Sequence, residues 1–187
     1  MDLNDIHTMP PVTKALLVTY LSVFALVHCQ FISGPQLVFI PANIKNGEIW
    51  RLISGFFYFG PSDATSIIKI LFFYFNSRSL ESRYYNDSLK YAKRLLLLAA
   101  MALAACFATG LKNPSVPFLS ALEYIVQARD QLEVPVRIFI GIEVLQPFHR
   151  TLTAAIIGEN SLAIASVIGV LLGHIIYFSE DVMSVWY

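Results

Sequence analysis

The sequence predicts an all-α polytopic membrane protein: a bundle of six transmembrane helices with an amphipathic interfacial loop between the first two. Three observations predict it. Hydrophobic residues make up 56% of the 187 and charged residues only 14%, where a soluble domain carries about 25% charged residues. Mean hydropathy is +0.61. The apolar residues are also gathered into runs near the ~20 residues that a bilayer crossing needs, with short polar connections between them. That leaves room for about six spans and no independent soluble domain, so residues 1–187 read as a single membrane domain.

Composition also excludes some classes. The net charge is zero and the pI near 6.9, so no nucleic-acid partner is indicated. Cys29 and Cys106 sit in apolar runs without metal-type spacing and read as small hydrophobes. No cofactor or metal is expected. Met1 to Lys14 is polar, with Asp2, Asp5 and a Pro10-Pro11 break. It lacks the basic start and cleavage site of a removable signal, so the first span is expected to act as an uncleaved anchor.

Span one is expected over Ala15–Ile32, with Thr13 capping its start and Ser33-Gly34-Pro35 closing it. Between Gln36 and Pro61, apolar pairs alternate with Pro41, Asn43, Lys45, Asn46, Gly47 and Glu48. This pattern suits short amphipathic helices lying in the interface, with Trp50 and Tyr58 as headgroup-level anchors. Span two, Ala64–Leu80, carries Lys69 and leads into the most basic connection, with Arg78, Arg83, Lys90, Lys93 and Arg94. Span three, Leu95–Leu111, is rich in alanine and suited to tight packing. Span four, Pro114–Gln127, and span five, Leu145–Gly158, are short for a crossing and carry Ser120, Glu123, His149 and Arg150. Val136–Val144 alternates in an extended pattern. Span six is Ser161–Phe178. The excess of Lys and Arg after span two places that side, and with it both termini, in the cytosol.

The last span has the most distinctive pattern. Gly169 and Gly173 are four apart and so share one helix face, where another backbone can approach closely. His174 follows directly, an ionisable ring at membrane depth that calls for a partner or a function. A serine nucleophile touching such a histidine would make an intramembrane protease. Rhomboid proteases keep their histidine on a similar glycine face and their serine in a Gly-x-Ser-Gly turn opening span four. Here that span offers Phe118-Leu119-Ser120-Ala121, with neither glycine. The second span lacks the histidine that rhomboids direct toward the oxyanion.

Four stretches together resemble the Derlin family, rhomboid-like pseudoproteases of endoplasmic-reticulum-associated degradation. Pro10-Pro11-Val12-Thr13-Lys14 resembles the family's Ile-Pro-x-Val-Thr-Arg start. Ile49-Trp50-Arg51-Leu52-Ile53 with Phe57-Tyr58-Phe59 resembles its Trp-Arg loop. Ser79-Leu80-Glu81 resembles its Leu-Glu ending of span two. Gly169, Gly173, His174, Tyr177 and Asp181 resemble its final-helix signature. They occur from one end of the chain to the other in the family's order. Lys69 stands where related sequences tend to have asparagine.

The resemblance implies a rhomboid-like bundle without catalysis. It further implies a role in moving misfolded clients out of the endoplasmic reticulum for ubiquitination and proteasomal degradation. The partners it implies are the lipid bilayer, client polypeptides and a membrane ubiquitin-ligase complex. The sequence stops at Tyr187 without the family's ATPase-recruiting tail, so contact with the AAA ATPase is expected to be indirect. Trp50 and Arg51 read either as a loop ordering a client-receiving cavity or as an ordinary interfacial anchor. Gly169, Gly173, His174 and Tyr177 read as a packing face. Lys69, Ser120, Glu123 and Arg150 are candidate polar residues of a hydrated groove, which short spans favour by thinning the bilayer. Two other functions fit the residues: a protease using Ser120 and His174, or a small transporter or channel subunit using Lys69, Glu123 and Arg150.

Overall fold

The computed structural model describes residues 9–84, 87–130 and 160–179, and every regular element among them is helical. The chain forms two compact units, Met1–Leu97 and Leu98–Tyr187.

The first unit opens with α1, Pro11–His28. Pro11 supplies the preset φ and missing N–H that suit a first helical position. The helix ends where Gln30 takes a left-handed φ of 60° and the Phe31 and Ile32 amides fold back onto the Leu26 carbonyl. Span one is thus shifted by about one turn toward the N-terminus relative to Ala15–Ile32, and Thr13 lies inside the helix instead of capping it. Three short helices follow, in the loop where alternating apolar and polar residues suit short amphipathic helices: α2, Gly34–Leu37; α3, Pro41–Lys45; α4, Arg51–Phe57.

Next is α5, Ala64–Arg83, whose first turn is capped by Asp63 accepting from the Ser66 amide at 2.9 Å. It runs antiparallel to α1, since Tyr20 meets Phe73 while Thr13 meets Ser77. The core between them is aromatic. Tyr20 stacks on Phe59 at 4.8 Å and tilts against Phe57 and Phe73 at 5.1 and 4.5 Å, separations at which ring pairs add to simple burial.

Helix α6, Ser88–Thr109, starts in the first unit and ends in the second. Asp87 accepts from the Lys90 amide at 3.0 Å, so the helix begins about two turns before the apolar run at Leu95. Gly110, at a φ of 72°, closes it. The second unit adds α7, Ser115–Asp130, and α8, Asn160–Tyr177. These two pack along their length in the same direction, for Gly169 meets Pro117 and Ser120 while Gly173 meets Ala121 and Tyr124.

Among the described residues two helices are long and apolar enough to cross a membrane. They are α1, with 18 residues, and α6, with 22. The apolar stretch of α8, Ser161–Tyr177, is shorter. Helix α5 has the length, at 20 residues, but Lys69, Asn76, Arg78, Glu81 and Arg83 dilute its hydropathy. The expected span five, the extended segment Val136–Val144, His149 and Arg150 lie outside the described residues.

Candidate functional site

Three constellations hold the residues that the sequence singles out, and the first joins two of the four resemblance motifs. Glu81 is buried near the C-terminal end of α5, and its carboxylate reaches the first turn of α1. One oxygen accepts from the Val12 amide at 3.0 Å and the other from the Thr13 amide at 2.7 Å. The first amides of a helix have no partner within it, and their aligned dipoles favour a negative charge. Glu81 satisfies both conditions from another helix. Beside it the hydroxyls of Thr13 and Ser77 share a hydrogen bond of 2.8 Å, and those of Ser77 and Tyr91 another of 2.8 Å. All three side chains are buried. This latch therefore ties α1, α5 and α6 together at one end of the unit.

The second constellation is the Trp-Arg loop, where the two residues face opposite ways. Arg51 is only 6% exposed. Its Nη1 donates to the Pro35 carbonyl at 2.7 Å and the Val38 carbonyl at 2.8 Å, and its Nε donates to Glu48. Glu48 also accepts from Asn43 at 3.2 Å. The Arg51 hydrogen bond, aided by Asn43, holds the Glu48 carboxyl below the usual carboxylate range. Ser54 adds a bond to the Leu37 carbonyl at 3.1 Å. Arg51 is thus a hub that satisfies loop carbonyls which a helix or sheet would otherwise engage. Trp50, 57% exposed, points outward with Ile49 and Ile53 at 64% and 68%. Lys69, on α5, donates its ammonium to the Phe59 carbonyl at 3.0 Å and so fastens the end of this loop.

In the third, α8 lies against α7 through its glycines. A Cβ on Gly169 would stand 2.4 Å from the Pro117 carbonyl oxygen and 2.7 Å from the Ser120 Cβ; one on Gly173 would stand 2.8 Å from the Ala121 carbonyl oxygen. No side chain fits at either position without moving backbone. Ser120 is buried in this seam. The partner of His174 is Tyr124, whose hydroxyl lies 2.7 Å from Nδ1, with the rings edge to face at 5.7 Å. Tyr124 is one turn beyond Ser120 on the same face. Glu123 is buried on α7, and Tyr177 is half-buried one turn past Gly173.

Sequence reasoning missed Glu81 as a helix cap, the Ser77–Tyr91 pair, the Glu48 partner of Arg51 and the Tyr124 partner of His174. Glu48 and Arg51 are three apart, close enough for the turn before α4 to bring them together, and Tyr124 is four beyond Ser120, a spacing that puts both on one helix face. Glu81 and Thr13 are 68 residues apart, and no local pattern links them.

A family model described as the Der1-like family matches residues 9–186. Derlin-1.1 of Zea mays is 25% identical over 179 residues, covering 91% of this chain and 72% of that protein.

Proposed function

The chain belongs to the Der1-like family, and from that premise we propose that it is a non-catalytic, rhomboid-like protein of the endoplasmic reticulum membrane. It helps misfolded polypeptides reach the cytosol for ubiquitin-dependent degradation. It crosses the membrane six times with both termini cytosolic, and it works beside a membrane ubiquitin-ligase complex.

The observation that carries the non-catalytic reading is the pairing of His174 with Tyr124. A general base must reach the proton it removes, and here the His174 Nδ1 is taken by a phenol while Ser120 is packed under Gly169. One further observation supports the architecture: helices α7 and α8 run in the same direction, as two spans with one more crossing between them would. Short spans would thin the bilayer, and a thinner core lowers the barrier for a client's backbone, where each unsatisfied polar group costs several kcal/mol.

The test is client turnover in cells lacking the protein. Wild type and Ser120→Ala are expected to restore degradation of a misfolded luminal reporter equally and to bring down a membrane ubiquitin ligase. Arg51→Ala is expected to restore little. Cleavage of a membrane-anchored reporter that vanishes with Ser120→Ala would replace this reading with proteolysis.

A further inference from the structure

We propose that the polar C-terminal end of α5, with the start of α6, is a binding site for an anionic phospholipid, with Arg78 holding the headgroup phosphate. On α5, Ile68, Leu71, Phe75 and Arg78 recur at spacings of three and four, so they form one stripe along the helix. The first three are 51%, 48% and 55% exposed. Arg78 ends the stripe about a turn and a half before the helix does. Its Nη1 donates to the Tyr74 hydroxyl at 2.8 Å, and the guanidinium carbon lies 6.0 Å from the Tyr74 ring centre. That contact holds the fork in place while most of its donors remain for an external acceptor.

Helix α6 repeats the pattern. Exposed Lys93 stands over exposed Leu96 and Leu97, and exposed Lys90 lies against the Tyr84 ring at 6.0 Å.

The charge balance favours an anion. Arg78, Arg83, Lys90, Lys93 and Arg94 share this stretch with two acids, Glu81 and Asp87. Glu81 has both oxygens on the α1 amides, and Asp87 caps α6. Their charge is thus directed at helix termini. A cation over an exposed apolar stripe matches a phosphate over its acyl chain, which is why a lipid is favoured over an acidic polypeptide. Guanidinium also suits phosphate geometrically.

The test uses the full chain in mild detergent, offered dioleoyl phosphatidylserine or dioleoyl phosphatidylcholine, with retained lipid read by native mass spectrometry. Wild type should retain the serine lipid preferentially. Arg78→Gln with Lys93→Gln should lower its retention about fivefold for each charge removed, with phosphatidylcholine unchanged and helical circular dichroism intact. Arg78→Lys should keep most of the binding, and Lys112→Gln all of it. If the double variant does not fold, Lys93→Gln alone, on an exposed side chain, should still show the single-charge loss. Equal retention of both lipids by wild type, or no loss in the charge variants, overturns the proposal. So does displacement of the serine lipid by millimolar inorganic phosphate alone, since the site would then recognise the free ion.

Discussion

The two units are held by opposite means. In the first, helices and loop are joined by buried polar groups: the Glu81 carboxylate on the α1 amides, the Thr13–Ser77–Tyr91 hydroxyls and the Arg51 guanidinium on loop carbonyls. In the second, α7 and α8 meet through two glycines that bring one backbone against the other. The polar contacts are directional and leave orphaned groups when broken. The glycine contacts themselves have no donors or acceptors to lose and fail by volume, with the Tyr124–His174 bond as the polar contact beside them. In lipid, where apolar burial gives little drive for helix association, hydrogen bonds and close packing are the two remaining routes. The first unit relies mainly on the former, beside its Tyr20 aromatic core, and the second mainly on the latter, beside the Tyr124–His174 bond.

Removing the latch should have the largest effect. Glu81→Ala deletes two charge-assisted bonds and leaves a buried and a part-buried amide at the start of α1 without a partner. Hydrogen bonds to charged groups are worth about 1.5–3 kcal/mol each, so a loss of about 3 kcal/mol is expected. Limited proteolysis in detergent should locate it at the N-terminal segment. Glu81→Gln should recover part, having one acceptor oxygen for two amides. If both variants resist protease as wild type does, the polar latch is not what holds α1.

The seam should come next. Gly169→Ala places a methyl 2.4 Å from the Pro117 carbonyl oxygen, and Gly173→Ala places one 2.8 Å from that of Ala121. Overpacking of this kind costs about 1–3 kcal/mol, with position 169 the worse. Thermal unfolding should rank the variants in that order. The reverse order would mean that the closest approach lies at the other glycine.

Arg51→Lys tests the loop with the charge retained. A lysine offers a compact ammonium in place of a planar fork and cannot serve Pro35, Val38 and Glu48 together. A loss of about 1–2 kcal/mol in thermal stability follows. The Glu48 carboxyl lies below its ordinary value because Arg51 and Asn43 favour its charged form. Its contribution is therefore present above the unfolded carboxylate pKa of about 4.3 and is lost as pH falls through the lower folded value. Tryptophan fluorescence from Trp50, followed on acidification, should change in that window. It should change at higher pH in Asn43→Ala, where one of the bonds that depress Glu48 is gone.

The same contrast explains what could be read from the sequence. The seam was legible because Gly169, Gly173 and His174 lie within one helix, where a spacing of four means a shared face. The short helices of the loop were legible because apolar pairs alternate there with Pro41, Asn43, Lys45, Gly47 and Glu48. The limits of α1 and α6 were not read correctly, since hydropathy marks the apolar run while capping marks the helix. Asp87 starts α6 well before Leu95, and Glu81 lets α1 begin at Pro11. The Asp87 cap is a local signal that the apolar run outweighed. The Glu81 cap is a tertiary contact, invisible until α1 and α5 are side by side. Likewise, adjacent Trp50 and Arg51 suggested one shared role, yet the short helix turns one out and the other in.

The smallest expected effect is also the one that separates packing from chemistry at His174. Tyr124→Phe removes only the hydroxyl from a half-exposed ring and keeps the edge-to-face contact, so the loss should be near the ~0.6 kcal/mol average for hydrogen bonds between membrane helices. Its value lies in the cycle with Ser120→Ala. If His174 serves only the seam, the two substitutions act on different contacts and their effects on thermal stability should add within about 0.5 kcal/mol. If the freed ring swings to Ser120, the effects should couple, and Tyr124→Phe alone should make Ser120 reactive toward a fluorophosphonate probe. Additivity with no labelling would mean that Tyr124 fills a place beside His174 that a nucleophile would need. Coupling with labelling would mean that a single phenol hydroxyl keeps a serine and a histidine apart.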